Sequence, residues 1–530
     1  MSDRAAPGAA LDAAAAAPPP AAAIGLAEVA LLASVFVVAA CGLVYELAAG
    51  TLASYLLGDS ILQFSTVIGA YLFAMGIGSW LSRYFERQLV SHFLRIELLV
   101  GLIGGLMPTA LFALQTAGTA SFRFALYALV LVVGILVGLE IPLVMRILKR
   151  HVGSASGGLK TVVSQVLTFD YLGALAVSIA FPLLFVPQLG LIRTGAFFGL
   201  LNAGVAVWAL WLFRAEVRRV GAQALACALT IAALAGAFVA ADRVTSWSED
   251  RFYADHVLFS ETSPYQRIVV TTGHAGVRLF LNGNLQFHSR DEYRYHEALV
   301  HPALAAAGRP RRVLVLGGGD GMAIREILKH PSVERVTLVE LDPRMTQQFS
   351  TMPLLRGLNG DALRSPRVTV VNADAFAWLE QHDEIFDAIV VDFPDPTNFS
   401  IGKLYTRTFY ELVEKHLAAS GYAVVQTTSP LIARKSFWTV ATTIEAAGLA
   451  TAPYHAHVPS FGEWGFIVAS RRPFRLAQTL PPALRFVSVA GLPALFDFPP
   501  DMARVPAEVN RLSNQVLVQS YEDEWGKVQR

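Results

Sequence analysis

The sequence predicts a chain in two parts, an α-helical transmembrane bundle of about seven helices followed by a small antiparallel β domain and an α/β domain with a parallel sheet. Three observations carry this. The 530 residues are 54% hydrophobic and only 16% charged, with a mean hydropathy of +0.47, too apolar for one water-soluble globule. Of the 83 Asp, Glu, Lys and Arg residues, 20 lie between residues 25 and 241 and 60 follow residue 241. Beyond residue 310 apolar runs of strand length alternate with helical stretches, the pattern of a parallel sheet covered on both faces. A net charge of +1, without a basic run interleaved with aromatics, excludes a nucleic-acid partner.

Residues 1 to 24, rich in Ala and Pro, read as a disordered leader with no cleavable signal. Seven apolar stretches near spanning length follow, at roughly 26–49, 61–81, 93–115, 122–147, 168–189, 194–213 and 221–241. The even-numbered connections contain ten Arg and Lys residues, among them Arg83, Arg146, Lys149 and Arg218, whereas the odd ones contain Arg123 and Arg193. Loop charge therefore places the N-terminus in the cytoplasm. Seven crossings would then deliver the C-terminal half outside, unless the Ala-rich seventh stretch lies at the interface.

Glu46, Glu140 and Asp170 fall inside these stretches, where a carboxyl is costly. Two readings stand: a path or site for a cation such as a polyamine, or polar glue between helices that approach closely at Gly69, Gly76, Gly78 and Gly173. Cys41 and Cys227 lie in apolar stretches and read as buried thiols.

From about residue 252, SPYQRIVVTTG and VRLFLNGNLQF read as short strands with an Asn-Gly hairpin turn, so residues 252–305 form the small β domain. Residues 306–475 form the α/β domain. Its first strand runs into Gly317, Gly318, Gly319, Asp320 and Gly321 and then a helix, a turn that lets a ligand approach the backbone. Glu340 ends the second strand, 20 residues past Asp320, where a carboxylate holds a ribose diol. Asp374 ends the third strand, and Asp392 and Asp395 end the fourth. This is a Rossmann-like, methyltransferase-type arrangement whose ligand lies at the carboxyl ends of the strands.

So many acids select the ligand. Asp320 in the glycine turn repels a pyrophosphate and favours a cationic nucleoside such as a sulfonium. A second, amine substrate arrives protonated, so it needs a carboxylate that orients it and accepts a proton, and Asp392 beside Asp395 does both. HEALVH spaces His296 and His301 five apart, about 140° around a helix, which does not make a zinc site. His455 and His457 read as a polar pair on one strand.

Taken together, GGGDGMAIREILKH, VELD, NADAF, DFPDP, YQRIVV and LNGNLQFHSRDEYRYHEALVHPAL resemble the spermidine synthase family of polyamine aminopropyltransferases over about residues 260 to 470. CGLVYE, FSTVIGAYLFAMGIGSWLS, GLEIPL and FDYLGAL resemble its membrane-fused bacterial branch. The resemblance implies transfer of the aminopropyl group of decarboxylated S-adenosylmethionine to putrescine, giving spermidine and methylthioadenosine, with a co-substrate and no separate cofactor or metal. It implies Asp392 as the catalytic base and Gln266, Asp320, Glu340 and Asp374 around the nucleoside. Gln286, Tyr295, His296, Asp320 and Asp395 would surround the amine. It further implies a homodimer or homotetramer, a lipid bilayer as partner, and a multi-pass inner-membrane protein whose catalytic domain is cytoplasmic, against the loop-charge count.

The chain departs from the family at Ser460 and Phe461 in VPSFGEWGF, where Thr-Tyr is common, so a hydroxyl for the distal amine is missing there. In DFPDP, Phe393 and Pro394 are bulkier than the usual Ser or Thr. Phe461 and Trp464 either line the amine's alkyl chain or pack. The alternatives to a synthase are a polyamine sensor or transporter with a nucleoside-binding domain, and a methyltransferase, whose carboxylate-bearing donor Asp320 opposes. Residues 476–530 form a C-terminal extension too apolar to be simply disordered.

Overall fold

The computed structural model describes residues 26–57, 60–114, 119–151, 158–253 and 255–528. The leader expected at residues 1 to 24 lies outside them.

Seven helices build the N-terminal half: α1 (Leu26–Leu57), α2 (Ser60–Leu81), α3 (Leu89–Leu114), α4 (Thr119–His151), α5 (Gly158–Ala180), α6 (Val186–Leu212) and α7 (Val220–Phe252). α1 and α2 are apolar around their whole circumference, the mark of a helix with no aqueous face. The outer surface of the bundle exposes Leu72, Phe73, Leu175, Leu183, Leu229 and Val239, an apolar belt of a kind that water-soluble monomers do not carry.

Among the described residues, six helical stretches are long and apolar enough to cross a membrane. The fifth and sixth stretches read from the sequence lie in one helical run, Lys160–Leu212, through a π-helical turn at Phe181–Phe185. Gly190, at φ 72° and ψ 171°, breaks that run near the boundary read from the sequence. The helix expected at 221–241 runs on to Phe252, almost to the first strand.

Of the four glycines expected at helix contacts, Gly78 packs against the Ile135 carbonyl and Gly173 against that of Phe36, while Gly69 and Gly76 face open space. Among the expected acids, Glu140 is buried, but Glu46 and Asp170 are only half-buried.

Four antiparallel strands follow in sequence order, β1 (His256–Thr262), β2 (Arg267–Gly273), β3 (Gly276–Leu281) and β4 (Asn284–His288). Asn282 and Gly283, both with positive φ, make the tight turn that the Asn-Gly pair calls for. A helix, α8 (Glu292–Ala306), leads into the larger sheet. That sheet holds β5 (Arg312–Gly317), β6 (Arg335–Glu340), β7 (Val368–Asn372), β8 (Phe386–Asp392), β9 (Leu417–Gln426), β10 (Ala450–Val458) and β11 (Gly462–Ser470), in the order β10-β11-β9-β8-β5-β6-β7.

β5 to β9 are parallel, and the β10–β11 hairpin closes one edge antiparallel. The chain leaves β5 toward β6 on one side and returns to β8 on the other, so the topological switch point lies between β5 and β8. Ile268, Val270 and Phe287 of the small sheet share one core with Ala298 and Leu299 of α8 and with Val313 and Val315 of β5. The two sheets are therefore held in fixed relation around the switch point.

The C-terminal extension is folded onto this unit. Glu297 accepts hydrogen bonds from the backbone N–H groups of Arg485, Phe486 and Val487 at 2.7–3.0 Å. The closing helix, Val516–Val528, is tied down by Glu524, which accepts from the N–H groups of Lys435 and Ser436.

Candidate active site

A cavity of about 2610 Å³ opens at the carboxyl ends of β5, β6 and β8, and Gln266, Gln286, Tyr295, His296, Asp320, Glu340, Asp374, Asp392 and Asp395 all line it. Every site residue read from the sequence is thus brought to one space. Its far wall is the end of the helical bundle, with Thr51, Gln63, Arg123 and Arg193.

The glycine turn after β5 sets the floor. Gly317, Gly318 and Gly321 have φ of 80°, 69° and 77°, the left-handed region that glycine tolerates. A Cβ on Gly318 would lie 2.9 Å from Asp392 Oδ2, and one on Gly319 2.7 Å from Glu340 Cγ. The backbone passes close over both carboxylates because no side chain intervenes.

On the nucleoside side, Glu340 accepts from the N–H groups of Gly319 (3.1 Å) and Asp342 (2.9 Å), which orients it across the turn. Burial pushes its pKa up to about 7 against those hydrogen bonds. Asp320 accepts from the Met322 N–H at 2.8 Å, and burial raises its pKa, partly offset by His296. Asp374 caps the helix Ala375–Gln381 through the N–H groups of Phe376 and Ala377, and Lys403 donates to its other oxygen at 2.6 Å. Gln266 donates to Asp342, and Gln286 to the Asn284 carbonyl.

Asp392, the last residue of β8, takes a hydrogen bond from the Tyr295 hydroxyl at 2.6 Å. It is half-buried in the cavity wall, and desolvation lifts its pKa to about 6, with His296 pulling it back. Asp395 is likewise lifted to about 6 by burial. Its Oδ2 accepts from the Tyr521 hydroxyl at 2.8 Å, and the Gln426 and Thr428 side chains also face the carboxyl and pull its pKa back.

His296 holds a proton next to these acids. Burial works against the charged ring, but Glu292 meets Nδ1 at 2.8 Å and overrides it, and Asp320 and Asp392 add to the effect, so its pKa sits at about 8. Glu292 is in turn held by both terminal nitrogens of Arg325. His301 is not part of the site. It is buried behind it between Glu326 and His330, at 3.0 Å from each.

Tyr295, Phe461 and Trp464 make an aromatic wall beside the two aspartates, with ring centroids 6.3 Å and 5.2 Å apart in sequence order. Ser460 is spent on Asp291, which binds both its N–H and its hydroxyl. Phe393 turns into the core against Phe409 and Tyr405. His455 and His457 share Glu463 as a partner.

Sequence reasoning missed Glu292, Lys403 and above all Tyr521 and Trp525, which enter the cavity wall from the chain terminus. The acid of DEYRYHE, four residues before His296, was the only local signal for Glu292. Tyr521 and Trp525 carried none.

Residues 292–477 match the spermine/spermidine synthase domain. The chain is 57% identical over 507 residues to polyamine aminopropyltransferase 2 of Ralstonia nicotianae, covering 94% of this chain and 99% of that one. It is 49% identical to the polyamine aminopropyltransferase of Leptospira interrogans, again over 94% of this chain and 99% of the relative. A crystal structure of spermidine synthase from Thermotoga maritima aligns with 46% of this chain and 84% of its own at 27% identity, with a TM-score of 0.42. With these relatives matched over 94% of its length, the chain belongs to the spermine/spermidine synthase family of polyamine aminopropyltransferases.

Proposed function

We propose that the cavity transfers the aminopropyl group of decarboxylated S-adenosylmethionine to putrescine, giving spermidine and methylthioadenosine, and that α1–α7 anchor the enzyme in a lipid bilayer. The observation that carries the reaction is the pair Asp392 and Asp395, three residues apart on the cavity wall, one under the glycine turn and held by the Tyr295 hydroxyl, the other held by the Tyr521 hydroxyl. Asp395 binds the distal ammonium of the amine, which is also held over the aromatic wall. Asp392 orients the reacting nitrogen and accepts its proton. The nitrogen lone pair forms the new C–N bond as the C–S bond breaks, and that electron pair returns to sulfur to leave a neutral thioether.

Glu340 binds the ribose, Asp374 the adenine amino group in company with Lys403, and Gln266 the nucleoside flank. Asp320 pairs with the aminopropyl ammonium and repels a donor that keeps its carboxylate. Gln286, Tyr295 and His296 complete the amine side, His296 through its charge on Asp392. Tyr521 contributes a phenol hydroxyl where VPSFGEWGF has none.

The membrane reading rests on the apolar belt and on helix length. A straight helix of 53 residues would span about 80 Å against a hydrocarbon core of about 30 Å, so the break at Gly190 divides Lys160–Leu212 into two crossings.

The test is product analysis. Detergent-purified protein would receive decarboxylated S-adenosylmethionine with putrescine, cadaverine, diaminopropane, spermidine or agmatine in turn, beside Asp392→Asn. Spermidine formed from putrescine by wild type and not by the variant is the expected result. No aminopropylated product from any of these amines, with nucleoside binding intact, would overturn the reading.

A further inference from the structure

A second polar site lies in the middle of the bundle. Glu97 of α3 and Glu140 of α4 are 0% and 1% exposed, and among the described residues both oxygens of each carboxyl lack a hydrogen-bond partner. Tyr45 of α1 and Asn202 of α6 are also fully buried, and the Tyr45 hydroxyl and both amide atoms of Asn202 are unpartnered too.

These groups form one cluster. Glu97 and Glu140 act electrostatically on each other and on Cys41 and Tyr45. Asn202 packs on Gly101, one turn along α3 from Glu97, and the Tyr45 ring covers Gly104. Glu97 lies eight residues from the start of α3 and Glu140 eleven from the end of α4, so both sit about 12–16 Å inside the same end of the bundle.

Polar glue looks different in this bundle. The Tyr71 hydroxyl donates to the Gly42 carbonyl, Cys41 Sγ to that of Phe198, and Thr194 to that of Gly190. Each of those groups is satisfied by a neighbouring backbone, whereas the Glu97 and Glu140 carboxyls, the Tyr45 hydroxyl and the Asn202 amide have no hydrogen-bond partner among the described residues. Two carboxylates in apolar surroundings do not both ionise without a counter-charge. The basic side chains nearest in sequence, Arg95 and Arg146, sit toward the helix ends, and Arg146 is bonded to the Ser82 and Phe85 carbonyls.

We propose that Glu97, Glu140, Tyr45 and Asn202 form an intramembrane binding site for a compact, desolvated cation, an alkylammonium group or an alkali-metal ion. Both need what this site offers, one or two carboxylates and neutral oxygens at bundle depth with no competing water. The site is separate from the catalytic cavity and does not depend on the roles proposed there. It also differs from the acids singled out in the sequence, since Glu97 joins Glu140 there, with Asp170 acting on Glu140 as well.

The experiment uses full-length protein in detergent with the cavity disabled by Asp392→Asn and Asp395→Asn. Equilibrium dialysis with radiolabelled putrescine, radiolabelled spermidine or ²²Na⁺ should show about one cation per chain. Adding Glu97→Gln and Glu140→Gln should weaken it at least tenfold. In wild-type protein, dicyclohexylcarbodiimide should modify Glu97 or Glu140, read by mass spectrometry, and the cation that binds should suppress the adduct. Protection by the amines identifies an ammonium site, and protection by Na⁺ alone an alkali site. Absence of both binding and protection, or equal binding by the Gln variants, overturns the proposal. The carbodiimide arm needs no substitution, so a misfolded variant does not decide the outcome.

Discussion

The Tyr521 hydroxyl donates a 2.8 Å hydrogen bond to Asp395 Oδ2, so a residue 126 positions further along the chain completes a site built at the end of β8. Trp525, one turn on, donates to Thr428 and locks the same helix against the loop after β9.

Removing that hydroxyl should weaken the amine and spare the nucleoside. A hydrogen bond to a charged carboxylate contributes about 1.5–3 kcal/mol, so Tyr521→Phe should lower kcat/KM for the amine by about tenfold or more. Steady-state kinetics with each substrate varied in turn check this, with KM for decarboxylated S-adenosylmethionine expected to stay within about twofold of wild type. Loss of the donor also raises the Asp395 pKa further, which moves the acid limb of the pH profile upward.

Asp392 and Asp395 both titrate at about 6, and the reaction needs both ionised, so kcat/KM should fall below that pH with a slope approaching two. Asp395→Asn should reduce the slope to one. For stability the sign is opposite. Each folded pKa lies above the unfolded value, so between about 4 and 6 the native state holds more protons, and these groups stabilise the fold as pH falls. Asp392→Asn and Asp395→Asn should therefore stabilise the fold at pH 7.5, each by on the order of 2 kcal/mol, seen as a higher melting temperature in thermal unfolding of the detergent-solubilised protein.

Glu292 keeps His296 charged, and His296 lowers the pKa values of Asp392 and Asp320. In Glu292→Gln, burial acts on His296 against Asp320 and Asp392 only, its pKa falls, and Asp392 holds its proton to higher pH. Activity should drop severalfold at pH 6.5–7 and converge on wild type above pH 8, where His296 is neutral in both. An equal deficit at every pH would reduce Glu292 to a structural brace for Arg325.

Two left-handed glycines separate strain from crowding. Gly318→Ala puts a methyl 2.9 Å from Asp392 Oδ2 at φ 69°, whereas Gly308, at φ 76°, has nothing within 4 Å. Each substitution costs about 1 kcal/mol in backbone strain. Only Gly318→Ala should abolish turnover, by 100-fold or more, and calorimetry should show nucleoside binding lost with it.

The proposed seven crossings would put the two chain ends on opposite sides of the membrane. Topology reporters fused before Leu26 and after Arg530 should give opposite signals in cells. Like signals would mean that one of α1–α7 does not cross.

The site was legible where local physics makes it so. Apolar strands that end in Glu340, Asp374 and Asp392 and a glycine turn before Asp320 give these residues their place by strand polarity alone, because parallel strands deliver their carboxyl ends to one edge. The apolar stretches of the bundle are likewise local, since helix length and side-chain transfer energy decide them. The break at Gly190 was nearly so, but continuity through a π-helical turn depends on what packs around it.

What tertiary structure decided was which distant groups meet. Tyr521 reaches Asp395 across 126 residues, and nothing in YEDEW marks it as a donor. Glu97, inside a stretch that opens with Ser, His and Arg, looks like a helix-end residue until α3 packs between α4 and α6 and buries it beside Glu140. Sequence determined the kinds of element and the acids at their ends, because strand alternation, helix length and turn chemistry are properties of neighbours along the chain. Burial, the pKa values it raises and the partners it denies are set by contacts between residues far apart in the chain, and those only the folded molecule specifies.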